Sequence, residues 1–418
     1  MPVLLFATLD TKGLEAAYLR ECLRALGVEV ALVDCGTLGE PLVKAEIARE
    51  ELLSAAGTTL EALRARGDRG EAVNAAARGA AALARRWHAE GGLAGVLGLG
   101  GSAGTTIGTA AMRALPIGVP KLMVSTLASG AVAHYVGTAD IAMLHSVVDI
   151  AGLNRISRTI LSRAAQAMAG MARGRLPERE ANERPLIAAS MFGVTTPCVE
   201  RARAVLEAAG FEVLVFHATG SGGRTMEALI DSGLVAGVLD VTTTELADEL
   251  VGGVLSAGPE RLTAAARAGI PQVVSVGALD MVNFLAFESV PAKFAGRKFH
   301  RHNANVTLMR TTAEENAALG RELAEKVTRS RAPARIFLPR RGVSAIDRTG
   351  QPFDDPQARA ALYSAIRTHA GIVPVSELDL HINDAAFAEA MACELVSMVR
   401  VQAGSSAGSA CPDNSRAP

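Results

Sequence analysis

Residues 92–106 read GLAGVLGLGGSAGTT, an apolar run that passes straight into glycines and small hydroxyl residues. The stretch TIGTAAMRAL (106–115) then reads as a helix. The apolar run is continuous rather than alternating. That pattern fits a strand covered by helices on both faces, as in a parallel α/β sheet.

The same unit is written elsewhere in the chain. Residues 4–30, LLFATLDTKGLEAAYLRECLRALGVEV, and residues 187–213, IAASMFGVTTPCVERARAVLEAAGFEV, share one plan of strand, polar loop, helix and second strand. GLAGVLGLGG (92–101) is answered by GLVAGVLDVT (233–242), and IGVPKLMVST (117–126) by AGIPQVVSVG (268–277). Each half therefore predicts strand, helix, strand, helix, strand, helix, strand. The expected fold is two tandem Rossmann-like, doubly wound parallel-sheet domains related by internal duplication.

The domains are placed at 1–176 and 183–402. The first carries extra residues between Asp34 and Gly91, including the Ala-rich EAVNAAARGAAALARRW (71–87). ARGRLPERE (172–180), charged and broken by Pro177, reads as the linker. The low-complexity stretch 403–418 reads as a disordered tail.

Composition narrows the function. The 418 residues carry 42 basic and 43 acidic side chains, a net charge of −1, so neither nucleic acid nor a membrane is the expected partner. Aromatics at 4% leave too few rings for stacking on single strands. The cysteines (Cys22, Cys35, Cys198, Cys393 and Cys411) are odd in number and lack a CxxC spacing. They read as reduced thiols in the cytoplasm. No apolar stretch reaches the length of a membrane span, and the start MPVLLFATLD has no basic leader.

In doubly wound sheets ligands bind at the carboxyl ends of strands. The loop Gly100, Gly101, Ser102, Ala103, Gly104 and Thr105 lies there and opens a helix, which suits a polyphosphate. The bland alternative is that these glycines only permit close packing. The loop is not a P-loop, because no Gly-Lys-Ser/Thr follows. Gly98, Gly100 and Ala103 satisfy G-x-G-x-x-A, but on an inner strand and with no acidic residue about 20 positions on, so NAD is disfavoured.

Two further loops belong with it. Asp10, Thr11 and Lys12 follow the first strand, where Asp10 suits a ribose or a metal-bound water and Lys12 a phosphate; plain helix capping competes. Thr126, Ala128, Ser129 and Gly130 form a second small polar cradle, with Thr138 and Asp140 expected to close over the nucleotide.

The second half offers Thr219, Gly220, Ser221, Gly222, Gly223 and Arg224, an anion nest with a bidentate cation suited to a substrate phosphate or carboxylate. Arg301 and Asn303 are assigned to the same substrate. Glu245, Asp280 and His302 are the candidate acid–base groups. His300 and His302 make an incomplete metal pair, so no metal site is assigned. GGSAG also matches G-x-S-x-G, which makes Ser102 a rival nucleophile in a serine hydrolase.

These motifs together resemble a known family. DTKG, GLGGSAGT, LPIGVPKLMVSTLASG, VGTAD, SVVDIAGLN and GMARGRL are similar to the N-terminal region of the Tm-one-like ATP-binding proteins, the tobamovirus-multiplication-inhibitor family. SMFGVTTPCV, FHATGSGGR, HNANVTLMRTT, GVSAID and HINDAAF resemble its microbial members. The resemblance implies two α/β subdomains, ATP in the first, and a homodimer or higher homo-oligomer. A plant member has glycine where this chain has Ala103.

The resulting expectation is a cytoplasmic ATP-binding protein, with Mg²⁺ accompanying the nucleotide. It would act as an ATP-dependent enzyme on a small anionic substrate in an interdomain cleft. The alternatives are a non-catalytic, nucleotide-gated protein-binding module and the Ser102 hydrolase.

Overall fold

The computed structural model describes residues 1–174 and 183–404. Most of the expected linker and nearly all of the expected tail, with Cys411, lie outside the described residues. The chain divides into two compact units, Met1–Arg179 and Glu180–Pro418.

The first unit runs β1 (Val3–Ala7), α1 (Leu9–Ala25), β2 (Val30–Asp34), α2 (Arg49–Ala55), α3 (Leu60–Arg66), α4 (Arg69–Ala89), β3 (Gly95–Gly100), α5 (Ser102–Arg113), β4 (Lys121–Ser125), α6 (Ala133–Val136), β5 (Ala142–His145) and α7 (Arg155–Arg173). Its five strands are parallel in the order β2-β1-β3-β4-β5.

The continuous apolar runs follow from this arrangement. In β1, Val3, Leu5 and Ala7 pack with Leu19 and Leu23 of α1 and Leu161 and Met168 of α7. Leu4 and Phe6 face the other way, onto Leu52, Leu83, Ile107 and Met112 of α2, α4 and α5. Each such fully buried leucine contributes about 1.5–3 kcal/mol. The Ala-rich stretch falls in α4 and lets it lie close on α2. A Cβ on Gly79 would run into the Leu52 carbonyl.

The second unit runs β6 (Leu186–Met191), α8 (Thr196–Ala208), β7 (Glu212–His217), α9 (Ser221–Asp231), β8 (Val235–Thr242), α10 (Thr244–Val251), α11 (Ala264–Ala268), β9 (Gln272–Gly277), β10 (Met281–Phe284), β11 (Phe299–Asn303), β12 (Val306–Arg310), α12 (Ala313–Val327), β13 (Ala334–Pro339), α13 (Pro356–His369), β14 (Val375–Leu378) and α14 (Ala385–Gln402). Six strands form a parallel sheet in the order β14-β13-β9-β8-β6-β7. Ile187, Leu239 and Val273 pack beneath α8 and α14; Val274, Ile336 and Leu338 pack beneath α12 and α13.

Both units are thus parallel α/β sheets covered by helices. One element departs from the expected plan. Strands β10, β12 and β11 form a separate antiparallel sheet. Its strand Phe299–Asn303 is largely exposed and polar, so its sequence carries no apolar alternation.

No helix among the described residues is long and apolar enough to cross a membrane. Cys22, Cys35 and Cys198 are free thiols.

Candidate functional site

In the first sheet β1 has β2 on one side and β3 on the other, so the connections leave β1 and β3 in opposite directions. The switch point between their carboxyl ends is where such sheets hold ligands. Thr8 with the first turn of α1 (Leu9–Lys12) follows β1 there, and Gly100–Ser102 leads from β3 into α5, so the expected loop at Asp10, Thr11 and Lys12 is the start of a helix.

The glycines of the β3–α5 loop divide into two groups. A Cβ on Gly100 would lie 2.8 Å from the Gly104 Cα, and one on Gly104 would lie 2.9 Å from the Leu99 carbonyl oxygen. Gly98 is pressed against Met123 and Gly108. These glycines let α5 lie against β3. Gly101 differs: a Cβ there would meet only Thr126 Oγ1, at 3.7 Å. Gly101 is the N-cap of α5, with φ −82° and no side-chain cap. None of the loop residues has positive φ, Ala103 included. The loop therefore forms no nest of left-handed glycines. What remains is a helix N-terminus with its first amides and positive dipole end.

The β4 turn adjoins α5. Ser125 Oγ lies 2.7 Å from Thr105 Oγ1 and accepts from the Leu127 amide at 3.0 Å. The Thr126 amide donates to the Gly100 carbonyl at 3.4 Å. Ser129 and Gly130 are exposed. The loops at 100–105 and 126–130 are therefore brought together.

The loop after β1 is engaged with its neighbours. Asp10 Oδ2 accepts from the Leu38 and Gly39 amides at 3.0 and 3.1 Å. Thr11 Oγ1 lies 2.9 Å from Thr8 Oγ1. Lys12 leaves helical geometry, at φ −123° and ψ 18°, and its Nζ donates to the Ile150 carbonyl.

Asp34, at the end of β2, accepts from the Leu9 and Gly36 amides at 3.2 and 2.8 Å. Burial outweighs these amides and pushes its carboxyl above the ordinary value. Sequence reasoning passed over Asp34 because nothing beside it in the chain marks it as more than the end of a strand.

Asp140 sits elsewhere. It pairs with Lys121 and accepts from the Gly118 amide at 2.8 Å. Lys121 opens β4, whereas Ser125 and Thr126 end it, so Asp140 lies at the amino end of the strand. Thr138 belongs to the stretch that leads into Asp140. These two are not brought to the β3–α5 loop.

In the second unit, the predicted nest already holds an anion. Gly220 takes φ 81°. Its amide and that of Gly223 donate to Glu245 Oε1 at 2.7 and 3.0 Å. Any Cβ on Gly223 would fall on that carboxylate. A Cβ on Gly222 would strike the His217 carbonyl. Glu245 Oε2 accepts from Arg261 Nε at 2.6 Å. Arg261 also pairs with Asp240 and Glu227. Burial alone would lower the Arg261 pKa, but Asp240, then Glu245 and Glu227, drive it well above the ordinary value.

Arg224 donates to the Ser256 carbonyl at 2.8 Å. The Thr219 hydroxyl donates to the His217 carbonyl at 3.3 Å. The Ser221 carbonyl accepts from Thr225 Oγ1 at 2.9 Å.

Arg301, His302 and Asn303 lie exposed on β11. The Arg301 guanidinium stacks 4.1 Å above the Phe287 ring, and Asn303 Oδ1 accepts from the Asn305 amide at 2.8 Å. They stand on a different sheet from the Gly220–Arg224 loop.

Asp280 is fully buried. Its Oδ2 accepts from Ser344 Oγ at 2.8 Å, while Oδ1 has no partner. Burial, then the neighbouring Asp347, pushes its carboxyl up to about 7. Asp347 is held by Arg359 at 2.8 Å and Arg310 at 3.4 Å. His381 Nε2 donates to the Ser344 carbonyl at 2.9 Å, and its Nδ1 accepts from the Asn383 amide at 3.1 Å. These bonds fix a neutral ring, and burial lowers its pKa. The loops GALD, GVSAID and HIND thus converge, a cluster that sequence reading left as separate caps and turns.

The chain matches two family models over most of its length. Residues 1–177 match "Uncharacterised protein family (UPF0261) N-terminal domain", and residues 184–399 match its C-terminal domain. A "UPF0261 protein" of Clostridium tetani is 48% identical over 399 residues, 95% of this chain and 98% of that protein. A Rhizobium meliloti relative is 50% identical over 388 residues, 92% of this chain and 95% of its own length. The tomato "ToMV resistance protein Tm-1(GCR237)" is 47% identical over 306 residues, 72% of this chain but 41% of the tomato protein. With both halves matched and the two bacterial relatives this similar over 95% or more of their own length, the chain belongs to the UPF0261 family.

Proposed function

We propose that this protein binds ATP, with the polyphosphate on the amides that open α5. The observation that carries the reading is Gly101. It stands at the switch point of the first sheet, it lacks positive φ, and no packing contact demands its missing side chain. The freed space lies over an uncapped helix N-terminus, where an anion gains about 0.3–2 kcal/mol. Ser102, Thr126 and Ser129 supply hydroxyls beside it. Mg²⁺ would arrive with the phosphates, which supply much of its coordination in nucleotide sites.

Thermal shift and calorimetry with ATP, NAD, S-adenosylmethionine and a sugar nucleotide test the proposal. ATP alone is expected to stabilise the protein. At Gly101 the backbone is extended and a Cβ has room, so Gly101→Val is expected to leave the melting temperature within about 2 °C and to weaken ATP binding at least tenfold. Equal ATP affinity in the variant would overturn the reading.

The fuller form is an ATP-dependent enzyme with a small anionic substrate. A second form, nucleotide-gated binding without turnover, is favoured by one observation: both carboxylate oxygens of the buried Glu245 are taken up by protein partners. Release of ADP in the presence of small acids separates the two. The hydrolase alternative is disfavoured at Ser102, which starts α5 without the strained φ of a nucleophile elbow; a fluorophosphonate is expected to leave it unlabelled. The strand order second-first-third-fourth, common to both units up to the antiparallel sheet of the second, supports reading the halves as a duplication.

A further inference from the structure

Val147 has φ 66°, a conformation that a β-branched residue takes only under strain. It is also 59% exposed. An apolar side chain thus stands in water on a backbone that disfavours it. The turn itself does not need that side chain. Ser146 Oγ donates to the Val148 carbonyl at 2.7 Å, and the Val148 amide donates to the Ser146 carbonyl at 2.7 Å. Glycine or asparagine would make the same turn with less strain. Strain of this kind clusters at ligand sites, where the surroundings hold it in place.

The place of Val147 suggests what it meets. The Ser146 amide donates to the Ser125 carbonyl at 3.2 Å, and Ser125 Oγ lies 2.7 Å from Thr105 Oγ1 in the first turn of α5. Strand order sets β5 beside β4 and β4 beside β3. The loop after β5 is therefore the next station along the carboxyl edge from α5, beyond the Thr126–Gly130 turn. Resting on the nucleotide reading above, we infer that Val147 is a nucleobase contact: its exposed methyls pack against the purine face of the nucleotide whose phosphates lie on α5. The site would then select a nucleoside triphosphate over a bare polyphosphate.

The experiment measures ATP and inorganic tripolyphosphate, both with Mg²⁺, against the wild type and Val147→Gly. Glycine accepts the positive φ, so the ligand-free melting temperature is expected to rise by roughly 2–4 °C. ATP affinity is expected to fall about tenfold, and tripolyphosphate affinity to stay within about twofold. Val147→Asn, which also tolerates this conformation, repeats the test if the glycine variant is poorly behaved. Equal ATP affinity in wild type and variant overturns the base contact and leaves the phosphate site standing. Equal affinity of the wild type for ATP and tripolyphosphate does the same. A wild type that binds neither overturns the nucleotide reading and this inference with it.

Discussion

The Glu245 carboxylate and the Arg261 guanidinium meet at 2.6 Å with neither side chain exposed to solvent. The other carboxylate oxygen fills the Gly220–Gly223 nest. A nest built to receive an anion is here satisfied by the protein's own acid. Truncating Glu245 leaves Arg261 with one carboxylate fewer and two amides unpaired. Glu245→Ala is expected to lose about 3–5 kcal/mol of stability, read as a lower urea midpoint. A purely catalytic glutamate would leave the midpoint unchanged.

Asp10 makes a smaller contribution of the same kind. Its carboxylate holds the Leu38 and Gly39 amides, and Gly36 lies so close that a Cβ there would sit 2.8 Å from the Asp10 Cγ. Asp10→Ala is expected to cost about 1–3 kcal/mol, the usual scale for bonds to a charged acceptor. The specific signature is faster amide exchange at Leu38 and Gly39 with β1 and β3 unchanged. Uniform acceleration across the first sheet would contradict this local role.

The sequence made the parallel sheets legible because both faces of Leu4–Ala7 and Val96–Leu99 are buried, and continuous apolar runs record that directly. The loops at 100–105 and 126–130 were likewise legible as neighbours, since each ends an inner strand. Three things were not. Asp140 lies in the connection that enters β5, so local sequence does not say which end of β4 it will meet. The nest at 220–224 announces free amides, yet its occupant stands more than 20 residues away, across α9 and β8. Ser344, Asp280 and His381 meet only through the order of β9, β13 and β14, which no local pattern encodes.

Gly100 and Gly104 separate packing from ligand binding. Either one, changed to alanine, pushes a methyl into backbone that cannot yield like a flexible side chain. Each substitution is expected to cost about 1–3 kcal/mol through overpacking. Gly101→Ala meets only Thr126 Oγ1 at 3.7 Å and is expected to stay within about 0.5 kcal/mol of the wild type. Equal destabilisation at all three positions would remove the distinction on which the nucleotide site rests.

The buried acids and His381 give stability a two-sided pH dependence. Asp280 and Asp248 are each pushed to about 7, mainly by burial. Their native pKa values exceed the unfolded value of 3.8, so between roughly pH 4 and 7 the native state binds more protons and stability falls as pH rises. His381 has the opposite sign. Its native pKa lies below 6.5, so its stabilising contribution is complete above that value and is lost as pH falls toward the native pKa. Asp280→Asn keeps an acceptor for Ser344 and removes the burial cost of a charge. The variant is expected to gain on the wild type between pH 5 and 8 by a few kcal/mol at most, since one pKa unit is worth about 1.36 kcal/mol. Urea titrations at both pH values measure the gap. A gap that does not widen with pH would mean that Asp280 ionises in the folded protein as readily as in the unfolded chain.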